Sequence, residues 1–153
     1  FPAVVDHVGK ALARLASELV FVLPVIDDRR EELDRITTPG VRKVHGAFRE
    51  VLHGLAFNTN AYIVVMTYDH VTDREILAHC IQRPHAYLGM IGSERKARIT
   101  KRMFSKDGVA TVEQLDRVRM PIGKSIAAET PEEIAISILA EMIEVKNTAC
   151  VNK

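Results

Sequence analysis

Six successive residues, Ala61-Tyr62-Ile63-Val64-Val65-Met66, carry no charge and are rich in β-branched side chains. A run this short is read as a strand, and one apolar at every position is covered on both faces. Parallel sheets sandwiched between helices provide that environment, so the run points to an α/β chain. The rest of the sequence follows the same pattern. Apolar residues recur at helical spacing from Val8 to Leu19, and Val20 to Ile26 is a solid apolar stretch broken by Pro24. Thr37-Thr38-Pro39-Gly40 marks a turn before a short strand over 41–44, and a short helix is expected over 48–55.

Beyond the central run, residues 72–82 read as a helix stopped by Pro84, and 86–91 as a second buried strand. Ser93 caps a basic helix over 94–106. Thr111 with Gln114 starts another helix, and Thr130-Pro131-Glu132-Glu133 is a capping box opening a helix to about residue 146. The fold expected is a single Rossmann-like domain over 1–153. Its doubly wound parallel sheet lies between two helical layers, with a truncated first strand.

Composition removes several function classes. Lys+Arg is 21 against Asp+Glu 20, Trp is absent and aromatics are 5%. That is neither the basic footprint nor the stacking platform of a nucleic-acid binder. No apolar run reaches the ~18 residues a membrane span needs. The two cysteines, Cys80 and Cys150, have no metal-ligand spacing and form no disulfide framework. A reducing, cytoplasmic compartment is expected. The apolar end helix could pair with a second copy, giving a homodimer.

Ligands of such a sheet bind beyond the carboxyl ends of the strands. Four places qualify. Around Val4-Val5-Asp6-His7-Val8-Gly9, a dinucleotide fingerprint would put glycines at 4, 6 and 9, and only Gly9 is there. Gly9 serves either close helix–strand packing or a remnant phosphate turn, and Asp6 would repel a pyrophosphate. Asp27, 18 residues after Gly9, stands where a ribose hydroxyl is held, or else pairs with a nearby arginine. Thr67-Tyr68-Asp69-His70-Val71-Thr72-Asp73 follows the central strand. There Thr72 or Asp73 caps a helix, and His70 beside Asp69 admits acid/base work. Gly92-Ser93 with Lys96 combines exposed backbone N–H groups, a helix amino end and a cation in the first turn, which suits an anion.

Read in order, several segments resemble a known family. They are Val64 to His70 with Asp73, Tyr87 to Ser93 with Lys96, Pro121-Ile122-Gly123, and Thr130 to Glu141. Together they resemble the carboxyl-terminal Rossmann domain of the XdhC/CoxI family, accessory factors for xanthine dehydrogenase and related molybdenum hydroxylases. The resemblance implies a non-catalytic maturation role. Such proteins bind molybdenum cofactor (molybdopterin), hold it during sulfuration by a sulfurtransferase, and help insert it into apo xanthine dehydrogenase.

On this reading Gly9, Asp27, Thr67, Asp73, Gly92, Ser93 and Lys96 are the cofactor-binding residues, for molybdopterin or a nucleotide. The family's amino-terminal domain is absent from this sequence. The chain departs from the family at Val4 and Asp6, at Tyr68 where histidine is usual, and at Ala127 where glycine is usual. The alternatives are an NAD(P)-dependent oxidoreductase and a nucleotide-sensing regulatory domain. The damaged fingerprint argues against dehydrogenase activity.

Overall fold

The computed structural model describes residues 2–19, 21 and 24–151, with the side chains of residues 2–6 outside the description. In chain order the elements are α1 (Pro2–Ser17), β1 (Pro24–Asp27), α2 (Arg30–Asp34), β2 (Arg42–His45), α3 (Phe48–Gly54) and β3 (Tyr62–Val65). They continue with α4 (His70–Cys80), β4 (Tyr87–Met90), α5 (Glu94–Lys106), α6 (Val112–Arg117) and α7 (Pro131–Val151). Every described strand pairing is parallel: Pro24 with Arg42 through Asp27 with His45, and Tyr62 with Tyr87 through Val65 with Met90. This is the expected α/β arrangement, with the two central apolar runs as neighbours.

Two expectations are corrected. The sheet is not continuous among the described residues: β1 pairs only with β2, and β3 only with β4. The segment 4–9, expected as a loop before the first helix, lies inside α1. Gly9 is therefore a helical residue, and the helical register that begins at Val8 extends back to Pro2. Of the apolar stretch 20–26, only the end from Pro24 is strand, while residues 20, 22 and 23 fall outside the described residues.

Two apolar clusters hold the fold. One packs α4, α5 and α6 on the sheet through Leu77, Cys80, Leu88, Met90, Phe104 and Leu115. Burying one such leucine contributes about 1.5–3 kcal/mol. The other seats α1 on α7, with Val8, Leu12 and Ala16 against Ala135, Ile138 and Met142. The apolar face of the end helix that carries Ala135, Ile138 and Met142 is thus covered by α1. Cys80 is fully buried, and burial pushes its thiol up to about 11, as befits a core residue. Among the described residues no helix is long and apolar enough to cross a membrane.

Candidate functional site

The strands β1, β3 and β4 end in polar loops. Asp27 closes β1 and folds back on its own loop: its Oδ1 accepts from the Arg29 backbone N–H at 2.8 Å and from Arg29 Nε at 3.0 Å. Its Oδ2 accepts from Arg29 Nη2 at 3.0 Å. Asp27 is therefore held by arginine, the second of the two readings its sequence position allows. Its neighbour Asp28 reaches across to the next loop, where Tyr68 donates to Asp28 Oδ2 at 2.9 Å. The Arg29 guanidinium lies 4.5 Å from the Tyr68 ring centroid, completing the bridge. Donation to Asp28 raises the Tyr68 phenol above its ordinary value. The other Asp28 oxygen, Oδ1, is buried and has no hydrogen-bond partner among the described residues.

The loop after β3 is built around Asp73. The Thr67 N–H donates to Asp73 Oδ1 at 2.7 Å, and the carboxyl is almost completely buried. Desolvation raises its pKa, opposed by the Thr67 hydrogen bonds and by His70. The helix cap is Asp69, not Thr72 or Asp73: Asp69 Oδ2 accepts from the Thr72 N–H at 3.0 Å and from its hydroxyl at 2.9 Å. Those bonds lower the Asp69 pKa.

His70 bridges Asp73 to Lys96. Its Nδ1 lies 3.8 Å from Asp73 Oδ2, and its Nε2 meets Lys96 Nζ. The ring thus stands between the buried carboxyl of Asp73 and the lysine. A carboxylate, an imidazole and an ammonium thus stand in series, with the lysine outermost and exposed.

After β4, Gly92 adopts φ +153, a backbone conformation suited to glycine, and Ser93 caps α5 by accepting from the Lys96 N–H at 3.3 Å. The amino end of a thirteen-residue helix therefore opens beside Lys96. Of the residues expected to bind a cofactor, the fold gathers Asp27, Thr67, Asp73, Gly92, Ser93 and Lys96 at the carboxyl edge of the strands. Gly9 lies within α1 and lines one cavity with Asp27 and Thr67; a Cβ there would meet Met66 Sδ at 3.6 Å, an ordinary contact, so nothing in the packing demands glycine.

Sequence reasoning misses the role of Asp28 and pairs His70 with the wrong aspartate. The i, i+3 spacing of His70 and Asp73 on a helix is the available signal. The role of Glu141 is not reached from the sequence either. Glu141 is buried, accepting from the Tyr87 hydroxyl at 2.7 Å and from the Gly123 N–H at 2.9 Å. Burial and that bond raise the Tyr87 pKa, and the trio ties β4 to α7. Among the described residues no cluster of three or more His, Cys, Asp or Glu side chains is placed to hold a metal.

The chain belongs to the XdhC family: the model of the XdhC Rossmann domain matches residues 4–142. It is 37% identical over 145 residues to the uncharacterised protein YqeB of Escherichia coli (strain K12), covering 94% of this chain and 26% of that one. It is 30% identical over 141 residues to a probable xanthine dehydrogenase subunit of Bacillus subtilis (strain 168), covering 92% of this chain and 40% of that one. The crystal structure of a xanthine dehydrogenase from Bacillus halodurans superposes with a TM-score of 0.81 at 25% identity, over 94% of this chain and 41% of that one. The chain thus spans well under half the length of each of these relatives.

Proposed function

We propose that this XdhC-family chain holds a phosphate-bearing cofactor, molybdopterin or a nucleotide, over the carboxyl ends of β1, β3 and β4. On this reading it serves as an accessory factor for a xanthine dehydrogenase-type molybdoenzyme. The observation that carries the reading is the junction of Lys96, His70 and Asp73 beside the amino end of α5. Helix-end N–H groups and an ammonium favour a phosphate. Asp73 and His70 hold that lysine in place, and Asp28 Oδ1 is an acceptor with capacity left for a hydroxyl or ring N–H of the same ligand. None of these groups is a nucleophile aimed at a reacting atom. The role is to hold the cofactor while a sulfurtransferase acts on it, then pass it to apo xanthine dehydrogenase.

The test is calorimetric titration of the chain with molybdopterin, NAD, NADP, and adenine and guanine nucleotides. One of them should bind, and Lys96→Ala should weaken it by about 1.5–3 kcal/mol, roughly ten- to a hundredfold. Lys96→Arg should retain most of the affinity. If none binds, or if Lys96→Ala binds as tightly as the parent, the reading fails. Turnover of NADH with a small carbonyl substrate, lost on His70→Ala, would instead make the chain an oxidoreductase.

A further inference from the structure

A groove of about 360 Å³ opens at the amino ends of β3 and β4, the opposite end of these strands from the site described above. It is lined by Thr59, ahead of β3, by Gln82, Arg83 and His85 of the α4–β4 connection, and by Gln114 and Arg117 of α6. Its volume falls in the range of small-molecule sites, roughly 300–1,000 Å³. No aspartate or glutamate is part of the lining, although Glu113 and Asp116 are close by in sequence.

The amides of the groove are preset. Gln82 Nε2 donates to the Val109 carbonyl at 2.7 Å, Gln114 Nε2 donates to Gln82 Oε1 at 3.3 Å, and Gln114 Oε1 accepts from the Thr111 N–H at 2.9 Å. The carbonyl at one end of this chain can only accept and the N–H at the other can only donate, so both amides are held in one orientation. Each Nε2 carries two hydrogens and uses one of them here, which leaves one for another acceptor. His85 is fixed in the same way. Its Nδ1 lies 2.7 Å from the Arg83 carbonyl, so that nitrogen is the donor and Nε2 is left over.

The charge is one-sided. Neither Arg83 nor Arg117 makes an ion pair among the described residues. Arg83 follows the carboxyl end of α4 and Arg117 ends α6, positions where a helix favours a cation. A helix end of that kind carries only about half a negative charge, so each guanidinium keeps a net positive field. Two like charges lining one groove repel, and an anion between them removes that repulsion.

We propose that this groove binds a small polyanion, a compound with two or more phosphate or carboxylate groups, through Arg83, Arg117 and the spare amide N–H groups of Gln82 and Gln114. The guanidinium fork matches both oxyanions. His85 Nε2 suits a hydroxyl of the same compound. The site is separate from the cofactor site at the carboxyl ends of the strands and stands without it.

The experiment is calorimetric titration of the full chain and of Lys96→Ala with pyrophosphate, citrate and, as a cationic control, spermidine. Both polyanions are tested because the chemistry is shared, and the tighter of the two tells a phosphate compound from a carboxylate one. At least one should bind Lys96→Ala as tightly as it binds this groove in the parent, and more weakly as sodium chloride is raised. Spermidine should not bind. In the Lys96→Ala background, Arg83→Gln and Arg117→Gln should each weaken the polyanion by about tenfold or more. Should either arginine variant fail to fold, the nuclear magnetic resonance shifts of the Thr59 and His85 amides and of the Gln82 and Gln114 side-chain NH2 groups decide, since all should move on titration. The proposal is overturned if neither polyanion binds, if both arginine variants bind as tightly as their background, or if the shifts are confined to the amino end of α5. Loss of all polyanion binding on Lys96→Ala, with both arginines in place, overturns it as well and leaves the cofactor site as the anion site.

Discussion

β1 with β2 and β3 with β4 are both four-residue parallel pairs, yet their surroundings differ. All four residues of β4 are buried, whereas β2 has three exposed residues and one half-buried. The helices attached to the second pair begin with side-chain caps, at Asp69, Ser93 and Thr111. Those attached to the first pair begin at Arg29 and Ala47, whose side chains do not cap the helix. Both pairs share one topology, so the difference lies in how far each element is completed by its own residues. The second pair draws on two helical layers and local caps. The first has a thin cover, so its order depends more on what adjoins it.

The largest expected effect separates the two cores. Leu77→Ala removes a fully buried side chain from the cluster under β3 and β4 and should cost about 2–5 kcal/mol. Val44→Ala in β2 removes a half-buried one and should cost under about 1 kcal/mol. Urea unfolding of both variants measures this. Equal costs would show that the two pairs are equally well packed.

Glycines sharpen the contrast. Gly123 has φ +94, and an added Cβ would lie 2.4 Å from Ser137 Oγ. Gly40 has φ +79 but open space around it. Gly123→Ala should therefore cost about 1–3 kcal/mol, combining backbone strain with overpacking. Gly40→Ala carries the backbone part alone, about 1 kcal/mol. Thermal unfolding decides; similar values would mean that the α7 contact yields without cost.

Caps give a third, smaller difference, and one that runs in opposite directions. Ser93→Ala should destabilise by about 1 kcal/mol, while Ala47→Ser supplies a missing cap to α3 and should stabilise by about 0.5 kcal/mol or more. If Ala47→Ser gains nothing, the start of α3 is limited by its short length rather than by its cap.

The same asymmetry explains what can be read from the sequence. The α5 bounds, the Thr111 capping box and the identity of β3 and β4 as strands are legible because residues close in sequence determine each of them. The segment 4–9 misleads because a glycine pattern suggests a turn, while the apolar periodicity from Val8 is equally that of a helix interior. Ala127 stands out in the sequence only as a departure from glycine; its φ of +56 shows the physical reason glycine suits that position. The role of Glu141 is hidden because no local pattern reveals a hydroxyl 54 positions away. The bridge from Asp28 to Tyr68 spans 40 positions and is hidden for the same reason. The broken sheet is out of reach too, since alternating apolar runs set strand identity and not adjacency.

The smallest expected effect concerns the site itself. Asp73 is buried, so desolvation raises its pKa, while the Thr67 N–H and hydroxyl and the nearby His70 work against that shift. Asp69 adds a like charge, and Lys96 reaches the group only through His70. With the folded-state pKa above the unfolded one, the carboxyl imposes no titration cost at pH below the unfolded value, where both states hold the proton. As pH rises from there through the folded value, the unfolded state releases its proton first and stability falls; above that window the loss is complete. Asp73→Asn keeps an oxygen for the Thr67 N–H and removes the titration. Its stability should therefore be flatter than the parent's as pH rises through and above the ordinary carboxylate range. Urea midpoints across that range check it. If the two curves run parallel, the charge of Asp73 is fully compensated by Thr67 and His70. A flatter variant that also binds the proposed cofactor more weakly would mean that this half of the chain gives up stability to hold Lys96 in place.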